Sequence, residues 1–163
     1  MALLRPLTPN DVDQVLAVYA DAVLSQAAAL YEPRQIEAWA GHAQTSPELR
    51  AVVMRGRGLV SCAAHDPAAV EAFAVLDPID RLSLLYCRGR SSRQGRATAL
   101  LKALEAIACA EGCRQLRTEA SQLSKPLLLR CGWQVEAEET VPYAGELFTR
   151  WRMIKALVPV AHG

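Results

Sequence analysis

Residues 85–108, LYCRGRSSRQGRATALLKALEAIA, join the end of an apolar strand to an amphipathic helix through a short loop rich in arginine and glycine. The helix is predicted from an apolar face of Leu100, Leu101, Leu104 and Ile107 and from Gly112, a residue typical of the position after a helix. This strand, loop and helix constrain the fold more than any other segment, because they predict a sheet with a helix packed on it.

Patterns on either side of this segment extend the prediction to the whole chain. Leu3 to Pro6 form a candidate first strand, and Thr8 with Asp11 forms a capping box before a helix. Two short helices ending near Gly41 and Gly56 follow, and three apolar runs between residues 58 and 87 predict a strand meander. After the central helix come the strand RQLRTEA, the short helix SKPLLLRCG and a terminal hairpin around residues 143–145. The order βαα(α)βββαβαββ predicts an α/β fold of the α+β type, with a mixed, mostly antiparallel sheet of about seven strands flanked by helices.

Length and composition indicate one small globular domain. The chain has 163 residues, of which 52% are hydrophobic and 21% charged, and its net charge is +1. We expect a single domain over residues 1–163, with a core of about residues 3–155 and a tail at 156–163. Near-neutral charge and 6% aromatic residues argue against a nucleic-acid-binding protein, so the expected partner is small.

The cysteines and apolar runs predict the compartment. The five cysteines are an odd number without a CxxC pair or zinc-like spacing, which is typical of free thiols in a reducing environment and predicts no metal site. The first residues lack the apolar core of a signal peptide, and charges interrupt every apolar run before about 18 residues. We expect a cytoplasmic protein without a membrane partner.

The loop itself predicts an anion site. Gln94 to Ala99 should form the first turn of the helix, whose unpaired N–H groups and positive dipole end attract anions. Gly95, Ala97, Thr98 and Ala99 are small enough to let an anion reach the backbone. Arg93 and Arg96 add positive charge. The nucleotide fingerprints GxxxxGK[ST] and GxGxxG are absent. A pyrophosphate fits this loop, and the alternative is a solvated basic loop that binds nothing.

Two further segments carry a family resemblance. The GNAT acetyltransferase superfamily has Q/R-x-x-G-x-G/A at the start of its central helix, matched by residues 94–99, with Ala97 in place of the first glycine. The family's N-x-x-A-x-x-F-Y-x-x-x-G-F pattern falls in register on Ser121, Ser124, Leu127, Leu128, Gly132 and Trp133. The segment TEAS followed by Lys125-Pro126 is similar to a subset of the family. The chain therefore resembles a GNAT protein over about residues 3–155.

The resemblance implies binding of acetyl-CoA as co-substrate. Its pyrophosphate would lie on the amides of Gly95 to Ala99, near Arg88, Arg93, Gln94 and Arg96. Its pantetheine would lie between two splayed parallel strands, DRLSLLYC and RQLRTEAS, with Ser121 and Ser124 as hydrogen-bonding partners. A bulge at Tyr86-Cys87 would turn a backbone amide toward the thioester carbonyl.

The resemblance also implies transfer of acetyl to a primary amine by direct attack in a ternary complex. Leu128 occupies the family's tyrosine position, so the proton for the leaving thiolate would come from Tyr143, Tyr31 or water, or would not be needed. Glu119 is the first candidate base and Asp80 the second. An inactive acyl-CoA-binding module of the same fold is the alternative. Residues 19–45 and 141–148 should shape the acceptor site, and the protein should be a monomer or homodimer.

Overall fold

The computed structural model describes residues 2–158, which form one seven-stranded sheet with helices on both faces. The order of elements is the predicted one, and a 3-10 turn at Pro9–Asp11 precedes the first helix. The elements are β1 (Leu3–Pro6), α1 (Val12–Gln26), α2 (Pro33–Thr45), α3 (Pro47–Arg55), β2 (Arg57–Ala63), β3 (Asp66–Leu76), β4 (Arg81–Cys87), α4 (Arg96–Ala110), β5 (Gln115–Ala120), α5 (Lys125–Arg130), β6 (Gln134–Tyr143) and β7 (Glu146–Ala156).

The sheet has the order β1-β2-β3-β4-β5-β7-β6, and all its strand pairs are antiparallel except β4 with β5. That parallel pair is short: Arg81 lies opposite Arg117 and Leu82 opposite Thr118, and the pairing stops there. The two strands therefore diverge over the rest of their length. The predicted mixed sheet with a splayed parallel pair is confirmed.

Local signals explain where the first helices begin. The carboxylate of Asp11 accepts a hydrogen bond from the Thr8 backbone N–H at 2.8 Å and forms an ion pair with Arg5. Ser46 Oγ accepts one from the N–H of Leu49 at 3.0 Å, which caps α3. Each contact satisfies a backbone donor that would otherwise lack a partner near a helix start.

Each face of the sheet carries its own hydrophobic core. On one face, α1, α2 and α3 bury a cluster that includes Val15, Tyr19 and Phe73. On the other face, α4 and α5 bury a cluster that includes Leu104 and Met153. Full burial of one such side chain contributes about 1.5–3 kcal/mol, so these two cores fix the helices on the sheet.

The chain's end differs slightly from the expectation. The predicted tail began at residue 156, but Ala156 is the last residue of β7, and the N–H of Leu157 donates to Arg114 O at 2.8 Å. The other part of that tail, residues 159–163, lies outside the described residues. Within residues 2–158, no helix has both the length and the hydropathy that crossing a bilayer requires.

Candidate functional site

A cleft of about 920 Å³ opens where β4 and β5 diverge. Its walls come from both faces of the sheet, which we call the α4 side and the α1 side after the helices that cover them. Leu85, Cys87 and Leu128 lie on the α4 side, and Tyr86 and its neighbours in α1 lie on the α1 side. The cleft therefore passes through the sheet. The lining residues are Ala22, Ser25, Gln26, Leu82, Ser83, Leu84, Leu85, Tyr86, Cys87, Ser91, Ser92, Arg93, Gly95, Arg96, Ala97, Thr98, Thr118, Glu119, Ser121, Leu123, Ser124, Leu127, Leu128 and Arg130.

The predicted bulge in β4 exists, but at a different residue. Val75 pairs with Leu84 and Leu76 with Leu82, so Ser83 is the extra residue, whereas Tyr86 and Cys87 pair regularly with β3. The prediction that the bulge lies at Tyr86-Cys87 is wrong by three to four residues. A bulge adds twist locally, which suits the position where β4 leaves β5.

Strand alternation determines which backbone groups of β4 face the cleft. The N–H of Arg88 donates to Glu71 O on β3 at 2.8 Å. Since backbone groups of successive residues point to opposite sides, those of Tyr86 also face β3, and those of Leu85 and Cys87 face the cleft. The Tyr86 amide therefore cannot polarise a thioester in the cleft as expected, and the Leu85 amide takes that place. The same expectation for the Cys87 amide is compatible with this geometry. Gln26 Nε2 donates to Cys87 O at 2.6 Å.

The side chain of Tyr86 belongs to the aromatic core on the α1 side. Its ring lies 4.5 Å from that of Tyr19 between centroids, and its hydroxyl accepts a hydrogen bond from Trp39 Nε1 at 3.2 Å. Burial raises the pKa of Tyr86. The phenol is therefore a neutral, fixed part of the cleft wall.

The start of α4 presents free amides to the cleft. Gly95 precedes the helix at φ +79°, a left-handed conformation that favours glycine, and a Cβ built on it would meet nothing within 4 Å. The N–H of Ala99 donates to Gly95 O at 3.0 Å. The unpaired amides are thus those of residues 96–98. Two expectations are corrected: Ala99 has no free amide, and Gln94 lies before the helix and does not line the cleft.

Two of the loop's four arginines are held by one carboxylate. Glu71 on β3 is only 7% exposed and accepts two hydrogen bonds from Arg90, each at 2.9 Å, and one from Ser91 Oγ at 3.1 Å. Arg88 lies 3.3 Å from the same carboxylate and does not line the cleft, so its expected role in cofactor binding is not supported. These contacts lower the pKa of Glu71, with the hydrogen bonds from Arg90 as the largest cause.

The other two arginines have different environments. The guanidinium of Arg96 donates to Ser61 Oγ at 2.8 Å and to Cys62 O at 3.0 Å, so its charge is directed to β2. Both acceptors are uncharged and Arg96 lines the cleft, so the role of its side chain at the anion site stays a prediction. Arg93 is exposed at the cleft and has no ion-pair partner among residues 2–158. Its charge therefore remains available there.

The predicted serines lie together at the end of β5. Ser121 Oγ and Ser124 Oγ are 3.2 Å apart, and both residues line the cleft. Beside them, the hydroxyl of Tyr31 accepts a hydrogen bond from the N–H of Gln122 at 2.8 Å. Burial raises the pKa of Tyr31, and its contacts with Gln122 and Ser121 oppose that rise. A protonated hydroxyl is therefore present beside the serine pair.

The remaining candidates are divided between the cleft and the core. Glu119 lines the cleft and binds Arg81 at 2.9 Å, whereas Asp80 lies outside it, 3.6 Å from Arg117. Leu128 is 1% exposed and contributes an apolar wall. Tyr143 does not line the cleft: its hydroxyl is 2.8 Å from that of Tyr19 inside the α1-side core, and burial raises its pKa. Its predicted role as the acid therefore loses its geometric basis.

The sequence did not reveal several of these features. Glu71 stands in the apolar run AVEAFAVL, where alternation gave no reason to single it out, and Arg130 and Gln26 reach the cleft only through the fold. Among the described residues, no group of three or more His, Cys, Asp and Glu side chains is arranged to hold a metal ion.

The site defines the class of protein. It combines a splayed parallel pair, unpaired strand amides beside it and an open helix N-terminus at one end. These are the features of an acyltransferase that uses an acyl thioester of coenzyme A. No family model matches the chain. It is 28% identical over 150 residues to the Escherichia coli protein described as an uncharacterized N-acetyltransferase, YafP, covering 92% of this chain and 93% of that one. The chain is therefore similar to N-acetyltransferases of the GCN5-related (GNAT) superfamily.

Solved structures are also similar to the chain. A GCN5-related N-acetyltransferase from Rhodopseudomonas palustris is 26% identical and superimposes with a TM-score of 0.89 over 96% of both chains. The PaiA N-acetyltransferase of Thermoplasma acidophilum, solved in complex with coenzyme A, is 17% identical and has a TM-score of 0.73 over 96% of this chain and 99% of that one. The second similarity concerns the fold alone.

Proposed function

We propose that the protein transfers an acetyl group from acetyl-CoA to a primary amine by direct attack within a ternary complex. The observation that carries this proposal is the cleft between β4 and β5, which passes through the sheet. One side can admit an acyl thioester and the other an amine, so both reactants can meet without a covalent acyl-enzyme.

The α4 end of the cleft suits the pyrophosphate of the donor. The free amides of residues 96–98 and the positive end of the helix dipole would bind it, and Gly95 leaves room for its approach. Arg93, which is exposed at the cleft, would add positive charge there. Ser121 and Ser124 would hydrogen-bond to the amides of the pantetheine arm.

The strand edge of β4 suits the thioester. The N–H groups of Leu85 and Cys87 face the gap left by β5, and the acyl carbonyl oxygen would accept a hydrogen bond there. As the amine nitrogen attacks the carbonyl carbon, that oxygen gains negative charge, which a fixed N–H group stabilises. The C–S bond then breaks, the amide product forms and the thiolate takes a proton.

Two residues are assigned to the proton transfers. Glu119 would accept the proton that the amine loses, since it lines the cleft on the α1 side. Tyr31 does not itself line the cleft, but its hydroxyl contacts Gln122 N–H and lies next to Ser121, which does. Tyr31 would therefore donate the proton that the thiolate takes. The apolar Leu128 does not provide this group.

An inactive acyl-CoA-binding module is not favoured, because the similar proteins are named as acetyltransferases. The test is to incubate the protein with acetyl-CoA and a panel of amines while measuring free thiol release, with mass spectrometry of the acceptor. We expect release of coenzyme A together with an acceptor 42 Da heavier. Binding of acetyl-CoA without thiol release for any amine would contradict the proposed activity and favour the binding module.

A further inference from the structure

Part of the sheet beside the cleft is not covered by a helix. Leu116, Ala120 and Met153 point into the α4-side core, so the alternating residues 117, 119 and 152 lie on the α1 side. The side chains of Arg117 and Arg152 are 47% and 57% exposed. We call this surface the β5–β7 patch, which consists of Arg81, Arg117, Glu119, Glu139, Arg150 and Arg152.

The charges of this patch do not neutralise one another. Arg81 donates to Glu119 Oε2 at 2.9 Å, and Arg150 donates to Glu139 Oε1 at 2.7 Å. Arg152 Nε lies 3.8 Å from Glu139 Oε2, which is too far for a hydrogen bond. Asp80 beside the patch lies 3.6 Å from Arg117, so four guanidinium groups meet three carboxylates, and Arg152 retains the capacity to bind an anion.

Glu119 and Arg152 are direct neighbours across strands β5 and β7. Side chains at such positions start about 4.5–5.5 Å apart at Cβ. Glu119 and Arg152 do not pair with each other, since Glu119 Oε2 accepts from Arg81. Within residues 2–158, no group donates a hydrogen bond to the other oxygen, Glu119 Oε1. A carboxylate oxygen that lines the cleft and a guanidinium on the next strand, both able to bind a ligand, therefore lie side by side on the α1 side.

We propose that the acceptor is a free α-amino acid, with its carboxylate on Arg152 and its ammonium group on Glu119. This inference rests on the proposed function and names its substrate class. An α-amino acid carries both groups on one carbon, which matches two adjacent side chains of opposite charge. Arginine binds a carboxylate through two parallel N–H groups, which orients the amine toward the cleft. A simple amine or a peptide N-terminus lacks the adjacent carboxylate.

The experiment compares acceptors that differ only at the carboxylate. Thiol release from acetyl-CoA is measured with α-amino acids, with their amides and with the corresponding decarboxylated amines. We expect kcat/KM for the best amino acid to exceed that of its amide at least about tenfold. Arg152→Gln should raise KM for the amino acid about tenfold or more and leave kcat/KM for the amide unchanged. Arg57→Gln is the matched control, because Arg57 also lies on a strand, is 56% exposed, is only loosely paired with Glu111 and does not line the cleft.

Two results would overturn the inference while leaving the activity in place. In the first, the amides or simple amines are acetylated as well as the amino acids. In the second, Arg152→Gln lowers the rates of acids and amides equally. If no compound in the panel, including polyamines and peptides, yields an acetylated product, the proposed function fails and this inference fails with it. Thermal denaturation of each variant establishes that it is folded.

Discussion

At the scale of single residues, four arginines of one loop have three different roles. Arg88 and Arg90 bind the buried Glu71, Arg96 donates to β2, and Arg93 is exposed at the cleft without an ion-pair partner among residues 2–158. The sequence shows four similar side chains within nine residues. Their partners come from strands up to 35 residues away, and a local pattern does not contain them.

The two tyrosines offered as proton donors provide a direct comparison. Tyr31→Phe should lower the turnover rate at least about tenfold with acetyl-CoA affinity unchanged, because it removes the hydroxyl beside Ser121. Tyr143→Phe should leave turnover within about twofold and cost about 1 kcal/mol of stability, because it removes only the hydrogen bond to Tyr19. Steady-state kinetics and chemical denaturation of both variants measure these effects. The reverse order of rates would reinstate Tyr143 as the acid.

At the scale of elements, the loop between β4 and α4 is held in place by other parts of the chain. Glu71 binds its arginines from β3, and Asp21 Oδ2 of α1 accepts a hydrogen bond from the N–H of Gly89 at 2.8 Å. This loop sets where α4 begins, and hence where its free amides point. The binding site for the donor therefore depends on residues that do not contact the donor.

This arrangement predicts a dependence of stability on pH. The pKa of Glu71 is lowered in the folded protein, so its stabilising effect is fully present above its unfolded pKa of about 4.3. The effect is lost as the pH falls through the lower, folded pKa. Glu71→Gln should therefore cost about 1–2 kcal/mol at pH 7 and progressively less below about pH 4.

Urea denaturation of wild type and variant across this pH range measures the difference. Glu48→Gln serves as the control, since Glu48 forms an exposed ion pair with Arg55 and its loss should change stability by less than about 1 kcal/mol. A constant difference between Glu71→Gln and wild type at all pH values would show that the carboxylate's charge is not what holds the loop.

The elements were predictable to different degrees. Capping residues, glycine stops and apolar periodicity are local signals, and they predicted the order of all the strands and helices and the terminal hairpin. No local signal gives the position of the bulge. Ser83 is the extra residue because of how β4 pairs with β3, and nothing in RLSLLYC distinguishes Ser83 from Tyr86. In the same way, the serines of the cleft followed from a motif, whereas Glu71 and Gln26 required the fold.

At the scale of the whole molecule, two hydrophobic cores hold a sheet whose central strands, β4 and β5, diverge. We infer a single domain, since both cores pack on opposite faces of that one sheet. Strand β5 pairs with β7 over six residues but with β4 over only two. The cores therefore maintain an opening whose edges carry unpaired backbone groups, and binding a donor there does not require the strands to separate.

The measurement that tests the account most directly is the affinity of acetyl-CoA for Gly95→Glu and Gly112→Glu, determined by calorimetry on folded protein. Both glycines have positive φ, +79° and +94°, and both have open space around them, so each substitution should cost a similar strain of about 1–2 kcal/mol. Only Gly95 lines the cleft, where a glutamate would cover the amides of α4 and repel phosphate. We predict that Gly95→Glu weakens binding at least about tenfold and that Gly112→Glu binds as wild type does. Equal affinity for wild type and Gly95→Glu would contradict the assignment of this cleft to the acyl donor.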